Sequence, residues 1–152
     1  KLGIASSRGL AGELRKQLAV KLPTLPDAVK ELKIKISGCF NSCGQHHVAD
    51  IGFFGNSRRS GNYLVPHFQL VLGGKWKENA GSYGVAVGAV PSKRVPEVLE
   101  AITTRFAAER QGVETFQNWT ARLGKKEIRA MLEPFTPFVT AAIKEQFSID
   151  TK

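Results

Sequence analysis

Only two cysteines, Cys39 and Cys43, occur in the 152 residues. A small secreted domain stapled by disulfides would carry more, and the sequon Asn118-Trp119-Thr120 is accordingly read as accidental. No apolar run of about 18 residues is present, so no membrane-spanning helix is expected. The start, Lys1-Leu2-Gly3-Ile4-Ala5-Ser6-Ser7-Arg8, lacks the apolar core of a signal peptide. It also lacks an initiator Met, so the chain is expected to be a processed or excised piece. Acidic residues are few: 13 Asp and Glu against 22 Lys and Arg give a net charge of +9. The basic residues are nevertheless scattered, with short pairs at Arg58-Arg59, Lys93-Arg94 and Lys125-Lys126. No basic helix interleaved with aromatics appears, so the charge reads as a solvated surface and no nucleic-acid partner is expected. Internal repeats and low-complexity segments are missing. The glycines from Gly73 to Gly88 do not follow a strand with G-x-G-x-x-G spacing, which argues against a dinucleotide site. With so few cysteines, a cytoplasmic protein is expected, its thiols reduced and free to bind metal.

What is present is an ordinary globular composition, 42% apolar and 23% charged, long enough to bury a core. Leu10, Leu14 and Leu18 recur at helical spacing, predicting a helix over 7–21 capped by Ser6 or Ser7 and ended by Pro23 and Pro26. A short helical turn is expected at 27–32. Lys33-Ile34-Lys35-Ile36-Ser37 alternates as a half-buried strand does. A second strand is expected at 50–55, a turn at 56–62, and a third strand at 63–72, with Pro66 implying an edge or a bulge. Residues 73–84 read as a Gly-rich loop around Lys75, Trp76 and Lys77, and 84–90 as a short strand at best. Pro96 opens a helix to about Arg110, with Val98, Leu99, Ile102 and Phe106 on one face. Three shorter helical pieces are expected near 113–122, 125–132 and 137–147. Strands in the middle with helices on either side predict an α+β (or α/β) fold, a mixed β-sheet covered by helices.

The chemistry concentrates in Ser37-Gly38-Cys39-Phe40-Asn41-Ser42-Cys43-Gly44, a loop placed directly after a strand. Gly38 and Gly44 allow tight turns and close approach to a ligand. Two thiolates at C-x3-C spacing can point at one centre, yet tetrahedral zinc and iron–sulfur clusters normally take four protein ligands. Three readings stay open. His46 or His47 could join Cys39 and Cys43 in a zinc site, although adjacent side chains in extended backbone point opposite ways. The cysteines could be small buried hydrophobes with no metal. Or the remaining ligands could come from upstream of residue 1 or from another chain.

The run Ile36 to Gly44, followed by His47-Val48-Ala49-Asp50-Ile51-Gly52-Phe53-Phe54-Gly55, closely resembles the siroheme signature of the nitrite and sulfite reductase family. That signature is a G-C-x-N-x-C-G loop, then an alanine, an acidic residue and an I-G-hydrophobic-hydrophobic-G strand. Looser similarity extends from Lys1 to about Gly124. The resemblance implies a six-electron reduction of sulfite to sulfide or of nitrite to ammonia, with siroheme and a [4Fe–4S] cluster as cofactors. It implies that Cys39 and Cys43 are the later pair of cluster cysteines, with Cys43 also bridging to the siroheme iron. Gly38, Asn41 and Gly44 then correspond to loop positions packed against the macrocycle. Gln45 stands where many relatives have Arg, and Phe40 where many have Pro, which leaves sulfite and nitrite equally open.

The family's earlier C-x5-C pair would precede a helix resembling Leu2 to Ala19. The chain is therefore expected to be a fragment lacking that pair, inactive by itself and possessing a cofactor only in the parent enzyme. Residues 1–112 are assigned to the siroheme and [4Fe–4S]-binding domain, and 113–152 to a helical C-terminal extension or docking tail. The implied partners are the remainder of the same reductase and a ferredoxin or flavoprotein donor. Arg58, Arg59, Lys75 and Lys77 are candidates to pair with siroheme carboxylates, against a bland reading as solvated cations. Trp76 is read as either lining the cofactor cavity or anchoring its loop, and His67 as a satisfied core or edge residue.

Overall fold

The computed structural model describes residues 4–77 and 81–137. Helix α1 spans Ser7–Lys21, and the Ser6 side chain caps it by accepting from the Gly9 N–H at 3.2 Å. Its Leu10 and Leu14 are buried. A turn at Leu22–Thr24 ends it, since Pro23 cannot continue the ladder. Helix α2 is one turn, Asp27–Lys30. Four strands follow: β1 Ile34–Ser37, β2 Ile51–Ser60, β3 Tyr63–Leu72 and β4 Val85–Pro91. They lie side by side in sequence order, with β1 parallel to β2 and the other pairs antiparallel. The sheet is mixed, as expected.

The hairpin of β2 and β3 is longer than the sequence implied. Residues 56–60, expected in a turn, pair with β3 up to Ser60 opposite Tyr63. Gly61 takes φ of +58°, so Gly61 and Asn62 alone complete the reversal. The polar residues of this stretch sit on a two-stranded ribbon that no helix needs to cover, so apolar alternation was not required of them. Pro66 pairs with Ser57, while β4 ends at Pro91 opposite His67 and does not reach Pro66. At Pro66, β3 therefore has one side without a partner strand, which a residue with no N–H tolerates.

Helix α3, Val95–Glu109, buries Val95, Val98, Leu99, Ile102 and Phe106. Helix α4, Phe116–Leu132, starts at Thr115, whose hydroxyl accepts from the Asn118 N–H at 3.2 Å. Gly124 breaks its helical geometry with φ of +77°, which reproduces the two expected pieces on either side. The piece expected at 137–147 lies outside the described residues, apart from residue 137. Phe116, Trp119, Ile128 and Leu132 enter the same core as Ile51, Phe53, Phe68 and Leu70. Phe106, Phe116 and Trp119 meet ring to ring at centroid distances of 5.2 to 5.5 Å. Helix α4 thus packs into the core that the sheet and α3 build.

Parallel neighbours cannot be joined by a tight turn; the chain must cross back over about a dozen residues. Residues 38–50 are that crossover between β1 and β2, and they hold both cysteines. They include a short 3-10 turn at His46–Val48.

Candidate metal and cofactor site

The crossover lies close against the sheet because two glycines let it. A methyl group on Gly44 would collide with the Ile36 carbonyl oxygen, and one on Gly52 with the His46 carbonyl oxygen. Two non-glycine residues, Ser42 and Gln45, take left-handed φ of 59° and 58°. That conformation is unfavourable for side-chain-bearing residues and persists only where surrounding bonds hold it. The Gln45 N–H donates to the Ser42 carbonyl at 2.7 Å, closing the turn.

Inside the loop is a buried polar pair. Ser37 is 3% and His46 4% exposed. The Ser37 Oγ accepts the Gly44 N–H at 3.0 Å and lies 2.8 Å from His46 Nδ1. His46 Nε2 lies 3.4 Å from Ser42 Oγ, which in turn donates to the Phe40 carbonyl at 3.3 Å. The His46 ring packs on Phe54 with centroids 4.7 Å apart. Burial, with a smaller contribution from the neighbouring His47, lowers the pKa of His46 and so favours the neutral ring.

The sequence-predicted site residues are placed as follows. Cys39 and Cys43 are both free thiols, the first half-buried and the second exposed. Asn41 and Phe40 are exposed, and Gly38 and Gly44 half-buried. The Gly38 carbonyl accepts the N–H groups of Ile4 and Ala5 at 2.8 and 3.1 Å. The backbone leading into α1 therefore ends beside the residue before Cys39. Two soft thiolates on an accessible loop fit half of an iron–sulfur centre. They do not complete one: no group of three or more His, Cys, Asp or Glu side chains is placed to share a metal ion among the described residues. His46 has both ring nitrogens on serines, and His47 packs edge-on against Tyr83 at 4.7 Å.

The cationic candidates separate. Gly55 sits against the Gly38 carbonyl, so the ribbon carrying Arg58 and Arg59 runs on from the cysteine end of the sheet. Lys75 and Lys77 belong to the other end, near Lys33. There the ammonium groups of Lys33 and Lys77 each lie 5.3 Å from the Trp76 ring centroid. Trp76 helps line a cleft of about 480 Å³ with Asp27, Asp50, Arg110, Glu114 and Gln117, and no residue of 38–49 borders it. Trp76 therefore lies at the end of the sheet that carries Lys33, away from the thiols.

Sequence reasoning missed Gln117. Its amide donates to Asp50 Oδ1 at 2.5 Å and to the Gly74 carbonyl at 2.7 Å. Asp50 Oδ2 accepts the Lys33 N–H at 2.7 Å. Helix α4 is thereby tied to the end of the crossover, a contact across 67 positions of chain that no local pattern announces.

The sequence matches the family described as the nitrite and sulphite reductase 4Fe-4S domain over residues 7–136. It is 32% identical over 110 residues to the assimilatory ferredoxin-dependent nitrite reductase of Haloferax mediterranei, covering 72% of this chain and 19% of that protein. It is 29% identical over 133 residues to the sulfite reductase (ferredoxin) of Mycobacterium tuberculosis strain H37Rv, covering 85% of this chain and 24% of that protein. The solved structure of the Mycobacterium tuberculosis NirA protein matches with a TM-score of 0.73 at 28% identity, over 84% of this chain and 24% of that one. These relatives are therefore four to five times as long as the part of them that this chain spans.

Proposed function

We propose that this chain, which belongs to the nitrite and sulphite reductase 4Fe-4S domain family, contributes two cluster cysteines and the siroheme-bridging thiolate to a sulfite or nitrite reductase. Cys39 is a cluster ligand, and Cys43 ligates the cluster and reaches the siroheme iron. Gly38, Asn41 and Gly44 pack against the macrocycle. Arg58 and Arg59, at the cysteine end, are the cations suited to siroheme carboxylates. What the paired cofactors supply when bound is electron delivery to the anion in single steps, while the protein contributes ligation and electrostatics. Ferredoxin, named in the relatives, or a flavoprotein is the donor. The setting is cytoplasmic, where thiols stay reduced.

One observation carries the reading. The N–H groups of Ile4 and Ala5, just before α1, are hydrogen-bonded to the Gly38 carbonyl, so the entry to α1 packs on the loop that carries Cys39 and Cys43. The two further thiolates come from another part of the parent reductase, as residues 1–152 contain no other cysteine. The cofactor-binding part is residues 1–112, with α4 buttressing it.

The test has two parts. The isolated chain, reconstituted anaerobically with iron and sulfide, is expected to hold no stoichiometric cluster and to show no reductase activity. Finding both would overturn the assignment of the missing thiolates. Residues 7–136 are then exchanged for their counterpart in the Mycobacterium tuberculosis sulfite reductase. That chimera is expected to show siroheme absorbance and a cluster signal, both lost in Cys43→Ser. Retention of the full signal in Cys43→Ser, or stoichiometric zinc in the isolated chain that Cys39→Ser abolishes, would sink the proposal.

A further inference from the structure

Cys43 stands between the two residues that the buried Ser37–His46 pair holds. On its N-terminal side, Ser42 Oγ lies 3.4 Å from His46 Nε2. On its C-terminal side, the Gly44 N–H donates to Ser37 Oγ at 3.0 Å. Ser37 and His46 are joined at 2.8 Å. The backbone of Cys43 is thus gripped from both sides by one internal unit, while its thiol remains exposed. The bonds form a chain with a single direction. Gly44 N–H donates to Ser37 Oγ and the Ser42 hydroxyl to the Phe40 carbonyl; with His46 as the Nε2–H tautomer, the Ser37 hydroxyl donates to His46 Nδ1 and His46 Nε2–H to Ser42 Oγ. Every donor in it has an acceptor when His46 is the neutral Nε2–H tautomer. Ser42, next to Cys43, holds a left-handed φ of 59°, a conformation that persists only where surrounding bonds keep it.

We propose that His46 is a positioning residue, acting through Ser37 and Ser42 to fix the loop from which the Cys43 thiolate would ligate its cofactor. The proposal rests on the assignment of Cys43 given above. The nitrogens of His46 are committed to the two serines and not to a metal. The residue read from sequence as a possible zinc ligand is instead the internal support of the loop.

Four proteins decide it: wild type, His46→Phe, Ser37→Ala and His46→Asn. Phenylalanine keeps a ring against Phe54 but loses both bonds. Alanine at 37 cuts the chain from the other side. Asparagine can still reach Ser37 from the Nδ1 position. In the isolated chain, without metal, amide exchange at Gly44 is expected to quicken about tenfold in His46→Phe and Ser37→Ala, the equivalent of one lost hydrogen bond. His46→Asn is expected to recover most of the protection. In the reductase chimera, His46→Phe is expected to shift the cluster's midpoint potential and its paramagnetic resonance signal, and His46→Asn to restore them. Unchanged Gly44 exchange overturns the support itself. Quickened exchange with an unaltered potential and signal overturns its role in positioning Cys43. If the wild-type chimera forms no cluster, the assignment of Cys43 fails, and with it the metal-directed half of the proposal. The exchange comparison in the free chain still decides whether His46 supports the loop.

Discussion

At Gly52, hydrogen is the only side chain that lets the His46 carbonyl approach β2. Gly52→Ala would force the crossover off the sheet and disturb the 3-10 turn that carries His46. A loss of about 1–3 kcal/mol is expected, as for overpacking of a close contact, measured as a lowered urea midpoint. An unchanged midpoint would mean that the crossover can shift freely. The same residue illustrates how sequence reports a close approach. Gly52 was legible as part of an I-G-hydrophobic-hydrophobic-G strand, but the atom it makes room for was not. His46 is the reverse case. Its position three residues after Cys43 suggested a ligand, because spacing carries no information on burial. Only the fold shows that the ring is internal and its nitrogens occupied.

Between elements, the connection that matters is α4 to the crossover. Gln117 satisfies Asp50, which is 7% exposed, and at the same time holds Gly74. Gln117→Leu would leave a buried carboxylate oxygen without its amide donor. The expected cost is about 1–3 kcal/mol, checked by chemical denaturation beside Asn118→Leu, an exposed neighbour expected to be nearly silent. Equal effects of the two would show that the latch is unimportant. The elements themselves were largely legible. The Leu10–Leu14–Leu18 stripe marked α1, Pro96 and its apolar face marked α3, and the two pieces expected near 113–122 and 125–132 left the break in α4 between them. The ribbon from Asn56 to Ser60 was not, because its pairing comes from β3 and its polar residues face solvent.

Across the whole molecule, two histidines sit in the interior. His67 is 1% exposed, and its Nδ1–H donates to the Val65 carbonyl at 2.9 Å. Burial lowers its pKa; the Val65 bond opposes that, and the Arg58 charge adds to it. The pKa of His46 is lowered as well. Each binds its proton more weakly folded than unfolded, so the unfolded chain takes up more protons below the ordinary histidine pKa of about 6.5. The stability tied to neutral histidine is therefore complete above that value and lost as pH falls below it. Denaturation midpoints taken at about pH 7.5 and 5.5 should decline toward the acid side, and less steeply in His67→Gln. Equal slopes in the two proteins would remove His67 from the explanation. Sequence alone determined the family resemblance, the α+β layering and the presence of only two thiols, because residue identity, spacing and periodicity are local quantities. Tertiary structure decided which histidines are internal, which cations share an end with the cysteines, and where Ile4 and Ala5 meet the cysteine loop. Each of these depends on segments far apart in sequence being brought together by the sheet: β1 beside β2, Gly38 against Ala5, and Gln117 on Asp50.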